Sequence, residues 1–111
     1  MEIKSRLFFA DKNIQKYLSE LKEGKTEEQE LYSHLTRAFE DLKRNAYSGI
    51  QIPKRLIPKE YIIKYEITNL WKYNLPNAWR LVYSVGREGV EIVSIILEWM
   101  NHKTYERRFG Y

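Results

Sequence analysis

In "NLWKYNLPNAWRLVYSV", residues 69–85, every second position is aromatic or aliphatic. That period of two fits extended chain and no helix. Pro76, Asn77 and Ala78 interrupt it, so the stretch reads as two strands, 70–75 and 79–85, joined in a hairpin. If Leu75 pairs with Trp79, then Asn74 faces Arg80, Tyr73 faces Leu81 and Lys72 faces Val82. Side chains alternate across a sheet. One face therefore carries Trp71, Tyr73, Leu75, Trp79, Leu81, Tyr83 and Val85, and needs a cover. The other carries Lys72, Asn74, Arg80, Val82 and Ser84, and is expected to stay open to solvent.

The cover is legible upstream. Residues 2–9 read as a first strand. Asp11 can then cap a helix whose Ile14, Tyr17, Leu18 and Leu21 form one stripe, with Gly24 ending it in a left-handed conformation. "TEEQ", from Thr26 to Gln29, matches a capping box. Leu31, Leu35, Ala38, Phe39, Leu42 and Ala46 continue the helical spacing until Ser48-Gly49 stops it. Two amphipathic helices with a short turn form an antiparallel hairpin with one shared apolar face. Pro53 and Pro58 make residues 50–60 a connecting stretch, with a short helix possible after Pro58. "VGREGV", residues 85–90, supplies a turn, and the apolar, β-branched residues 90–99 suit a strand covered on both faces.

The expected fold is therefore α+β. An N-terminal strand and a two-helix hairpin pack on one face of a mainly antiparallel four-stranded sheet, followed by a short basic C-terminal tail. One domain spans residues 1–111, a length suited to a single core. There is no cysteine, which excludes disulfides and thiolate zinc sites. No apolar run approaches the roughly 20 residues that cross a bilayer, and the N-terminus lacks the apolar segment of a signal peptide. A cytoplasmic location without membrane contact is the expectation.

Charge is uneven. Residues 1–48 carry nine Lys/Arg and nine Asp/Glu, whereas residues 49–111 carry ten against six, which accounts for the net +4. An anionic partner for the second half is one reading; an ordinary solvated surface is the other. Lys72 and Arg80 divide the same way. They either grip an anion between two strands or keep a sheet edge from pairing. The loop cations Lys54, Arg55 and Lys59 and the basic tail could border the same face.

"WRLVYSV" followed by "VEIVSIILEWMNHKTYERRF" resembles the RelE/ParE superfamily of type II toxins, in which a "YRLVY" strand precedes an apolar strand and a basic terminal segment. The order strand, helix, helix, sheet is similar too. The resemblance implies a toxin of a toxin–antitoxin pair. RelE-like members are metal-free endoribonucleases that cut messenger RNA on the ribosome, while ParE-like members poison DNA gyrase; an inactive antitoxin-binding relative is a third possibility. Arg80 falls on the family's strand arginine, and Lys72 lies near its preceding-strand lysine. His102, Lys103 and Tyr105 fall in the segment that supplies an acid or base. An acidic antitoxin, messenger RNA and the ribosome are the implied partners, with no cofactor and no metal.

Metal-free RNA cleavage needs a proton acceptor for the 2′-hydroxyl, a donor for the departing 5′-oxygen, and cations for the phosphorane. Arg80 suits bidentate phosphate binding. Lys72 offers a point charge. An imidazole exchanges protons near neutrality, which makes His102 a candidate. Tyr105 could stack on a base or donate a proton. Asn74, Lys103, Arg107 and Arg108 complete the expected RNA-binding set, and Glu98 could orient His102 or Lys72. Each also has a plain structural reading on the surface or in the core.

Overall fold

The computed structural model describes residues 2–110. Strand β1 (Arg6–Phe9) leads into helices α1 (Lys12–Lys22) and α2 (Thr26–Arg44). Then come β2 (Ile50–Gln51), a 3₁₀ turn at Lys54–Leu56 and α3 (Lys59–Tyr65). β3 (Trp71–Leu75), a 3₁₀ turn at Pro76–Ala78, β4 (Trp79–Glu88), β5 (Glu91–Asn101) and α4 (His102–Phe109) follow. The strands lie in the order β1-β5-β4-β3-β2. β1 runs parallel to β5 and the other pairs are antiparallel. The α+β class holds, but the sheet has five strands instead of the expected four. The extra one is the two-residue β2, inside the stretch read as a connection.

The hairpin register is the expected one, with Leu75 opposite Trp79, Asn74 opposite Arg80 and Lys72 opposite Val82. Asn77 takes a left-handed conformation (φ 62°) in the turn, which asparagine tolerates better than most residues. The next hairpin is longer than expected. Gly86 still pairs with Val93, and the turn narrows to Gly89 (φ 63°) and Val90.

The helical hairpin covers the face predicted for it. Ile14, Leu31, Leu35, Phe39 and Leu42 pack with Leu75, Leu81, Tyr83 and Ile96, and Trp71, Tyr73 and Trp79 border this core. Tyr73 also hydrogen-bonds Asp41 of α2, tying sheet to helix. Details at the helix ends differ. Asp11 caps α1 as expected, accepting from the Ile14 amide at 3.1 Å. Gly24 is not left-handed; its amide donates to the Leu21 carbonyl at 3.1 Å. Thr26 is already helical, so the capping position falls on Lys25, whose amide donates to Glu28 Oε1 at 3.2 Å. Gln29 turns back to the Gly24 carbonyl instead. α2 ends at Arg44, before Ser48-Gly49, and Ala46 is buried beyond the helix with its amide bonded to the Ile3 carbonyl.

The opposite face is not open. Val82, Leu70, Leu97 and Met100 point into a second core with Ile52, Ile57, Tyr61, Ile67, Tyr105 and Phe109. The connecting stretch, α3 and α4 supply this cover. The expected basic tail is therefore a helix, started by Asn101, whose Oδ1 accepts from the Thr104 amide at 2.9 Å. Tyr105 and Phe109 stand one turn apart on its inner side, their rings stacked at 4.5 Å. Val82 and Ser84, both expected on the solvated face, are 0% and 3% exposed.

One close approach locks the β2 side. Gly49 donates its amide to the Tyr83 hydroxyl at 3.0 Å, and that hydroxyl donates to the Ala46 carbonyl at 2.9 Å. A Cβ on Gly49 would lie 2.5 Å from the Lys72 carbonyl oxygen. Backbone cannot yield as a side-chain tip can. Gly49→Ala is expected to destabilise the fold by about 2 kcal/mol in urea unfolding, within the usual range of overpacking costs; a change under half that size would contradict the clash.

Burial pushes the Tyr83 hydroxyl up to about 12, with the Gly49 amide acting the other way. A tyrosine raised in the folded state contributes stability that is complete below the unfolded value of about 10 and is lost as pH climbs through the folded one. The urea midpoint should therefore fall between pH 10 and about 12. Tyr83→Phe should start less stable and show a shallower fall over the same window.

Candidate nucleic-acid interface

Three elements converge at the end of the sheet where β3 turns into β4. Arg80 pairs across the sheet with Asn74 on one side and Met100 on the other, and Lys72 pairs with Val82. All share the face opposite the helical hairpin. Diagonal neighbours on antiparallel strands sit about 7–8 Å apart, which places Lys72 and Arg80 within one patch. Trp79 pairs with Asn101, so α4 begins beside this corner and His102 is its first residue.

Each side chain has a definite setting. Lys72 is half-buried, with its Nζ 5.0 Å from the centre of the Tyr105 ring, a cation–π arrangement. That ring belongs to the second core, where Tyr105 is 3% exposed. Arg80 is half-buried. Its Nη1 donates to the Trp79 carbonyl at 3.1 Å, and its Nε is buried without a hydrogen-bond partner among the described residues. The ion pairs among the described residues are Arg6–Glu91, Lys43–Glu40 and Arg108–Glu98, so no carboxylate of the described residues pairs with Arg80. A partly desolvated guanidinium attracts an anion more strongly than one in bulk water. Asn74 is exposed and His102 half-buried at the rim.

The remaining candidates spread outward. Lys54 and Arg55 sit exposed on the 3₁₀ turn, Lys59 opens α3, and Lys103 follows His102 on α4. Arg107 is exposed on the last turn of α4. Arg108 is committed elsewhere: its Nη1 donates to Glu98 Oε2 at 2.5 Å and to the Tyr61 hydroxyl at 2.8 Å. The Tyr61 hydroxyl itself donates to Glu98 Oε2 at 2.5 Å. Glu98 thus binds α3 and α4 together and orients neither His102 nor Lys72.

This triad forms one wall of a cleft of about 810 Å³ that the sequence reading missed. Tyr17 of α1, Glu60 and Tyr65 of α3, Trp99 of β5 and Arg107 of α4 also line it. Its residues come from four separated segments. The readable clue was the spacing of Tyr61 and Tyr65, one helical turn apart after Pro58. Among the described residues no group of three His, Cys, Asp or Glu could hold a metal ion, and no helix is long and apolar enough to cross a membrane. Comparisons with protein-family models, curated proteins and solved structures find no match.

Burial first, and the bond to Glu98 second, push the Tyr61 hydroxyl well above the ordinary tyrosine value. Burial opposes the Arg108 cation, but its bonds to Glu98 and Tyr61 outweigh that and raise its pKa. Glu98→Ala should therefore bring the Tyr61 titration down, while burial still keeps it above about 10. It should also speed hydrogen exchange of the α4 amides, since one of that helix's anchors is gone. Absorbance titration and exchange measurements check both; an unchanged α4 exchange rate would mean that the stacked aromatic rings alone hold the helix.

Proposed function

We propose that this chain is a toxin of a type II toxin–antitoxin pair, acting as a RelE-like endoribonuclease without a metal. The observation that carries the reading is the corner itself. Arg80, unpaired by any carboxylate among the described residues, shares a face with Lys72 and lies beside the start of the helix that bears His102. The order of elements, strand, helical hairpin, antiparallel sheet and basic terminal segment, supports it further.

In this reading the scissile phosphate rests against Arg80 and Lys72. The 2′-oxygen attacks phosphorus as its proton passes to a base, the phosphorus–5′-oxygen bond breaks, and an acid protonates the departing oxygen. A 2′,3′-cyclic phosphate and a free 5′-hydroxyl result. His102 is the group suited to proton exchange. Arg80 and Lys72 stabilise the added negative charge, worth about two to three orders of magnitude for one well-placed donor. Tyr105, too buried to stack on a base, positions Lys72 through its ring. Lys54, Arg55, Lys59, Asn74, Lys103 and Arg107 attract the strand on either side. The partners are messenger RNA on the ribosome and an acidic antitoxin, folding as it binds.

Induced expression with RNA mapping tests this. The parent should halt translation and leave messages cut at defined sites. Arg80→Ala should lower cleavage at least about a hundredfold, and His102→Ala should lower it while preserving RNA binding. Cleavage by Arg80→Ala at the parental rate would remove the site. Intact messages accompanied by DNA damage would favour the gyrase-directed alternative.

A further inference from the structure

The cleft beside α4 has features that neither core explains. Tyr17 is 55% exposed on α1 and turns to the cleft instead of the interior. Glu60 and Arg107, of opposite charge, both line the cleft. Neither side chain makes a hydrogen bond or an ion pair with another described residue. The cleft floor is Leu97, Glu98 and Trp99 of β5. β1 stops at Phe9, which pairs with Ile96, so β5 continues past that point with no strand on this side. Its volume lies within the range of sites that enclose small ligands.

Together these define the chemistry of an occupant. Aromatic rings from two facing walls take a flat ring between or against them. An uncommitted carboxylate calls for N–H donors, and an uncommitted guanidinium calls for an anion. A carboxylate beside the base would repel uracil's two carbonyl oxygens. Among the bases guanine fits best, because its N1–H and N2–H lie side by side and match the two oxygens of one carboxylate. We infer that this cleft is a guanine-nucleotide site, with the base against Tyr17, Tyr65 and Trp99, its N–H edge toward Glu60, and its phosphate toward Arg107. The nucleotide can be free or one unit of a strand lying along α4. Only the second source rests on the RNA reading above.

Titration of the intact protein with GMP, AMP and UMP, and with short single strands containing or lacking G, tests the site. Calorimetry reads affinity, and tryptophan emission compared between the parent and Trp99→Phe reads location. GMP, or a G-containing strand, should bind at least tenfold tighter than its uracil counterpart and change an emission that Trp99→Phe loses. Tyr17→Ala should weaken binding about tenfold. Glu60→Gln should remove the preference for guanine. Both residues are exposed and neither belongs to a core, so these variants should fold as the parent does. Binding of GMP itself assigns the free nucleotide as a sufficient ligand; binding of the strand alone assigns a subsite of the RNA. Equal affinity for guanine and uracil, or affinities untouched by both Tyr17→Ala and Glu60→Gln, overturns the inference. Guanine binding without RNA cleavage would defeat the nuclease reading and leave this one standing. Cleavage without guanine preference would do the reverse.

Discussion

A single extra residue in β5 organises the second half of the molecule. Val82 pairs with Glu98 and Tyr83 with Ile96, which leaves Leu97 unmatched in a bulge. A bulge of this kind puts two residues of one strand opposite one of its neighbour. Ile96 and Tyr83 remain on the face under the helical hairpin, while Leu97 enters the other core and Glu98 faces Tyr61 and Arg108. Without the bulge, strict alternation would turn one of those two away. The strand could then fill the second core or anchor its covering helices, but not both.

That arrangement converts a half-solvated sheet into a three-layer body at its centre. Lys72, Asn74, Arg80 and His102 gather where the cover ends. α4 is the common element. Its first turn borders the corner, its middle contributes Tyr105 beneath Lys72, and its last turn carries Arg107 and Arg108 to the cleft. Eight residues of helix thus connect the cationic corner with the aromatic-lined cleft.

Where the apolar pattern was long, sequence and structure agree. Seven alternating positions specified the β3–β4 register, and two long stripes specified which sheet face the helical hairpin covers. Where the cover was short, the pattern was hidden. α4 contributes just Tyr105 and Phe109 to the interior, one turn apart among charged neighbours, and reads as a polar tail. α3 buries Tyr61 while Ile62 and Ile63 face outward, which blurs its period. The triad was illegible for another reason: Tyr61 lies 37 positions from Glu98, and only tertiary packing selects that carboxylate over any other. The candidate corner was more accessible to reasoning because Lys72 and Arg80 are fixed by the hairpin register alone.

The parallel pairing of β1 with β5 has a consequence for how the chain comes together. Ser5 and Ser94 share a hydroxyl contact at 2.8 Å although 89 positions separate them, and the Ser5 hydroxyl also reaches the Leu42 carbonyl. Ring closure over such a span is entropically slow and follows the local hairpins. During synthesis the helical pair can meet Leu75, Leu81 and Tyr83 of the β3–β4 hairpin, but the first strand must wait for β5 to be made. A nascent chain of this kind therefore closes its first strand last, sealing one edge of the sheet after the rest of the core has a cover.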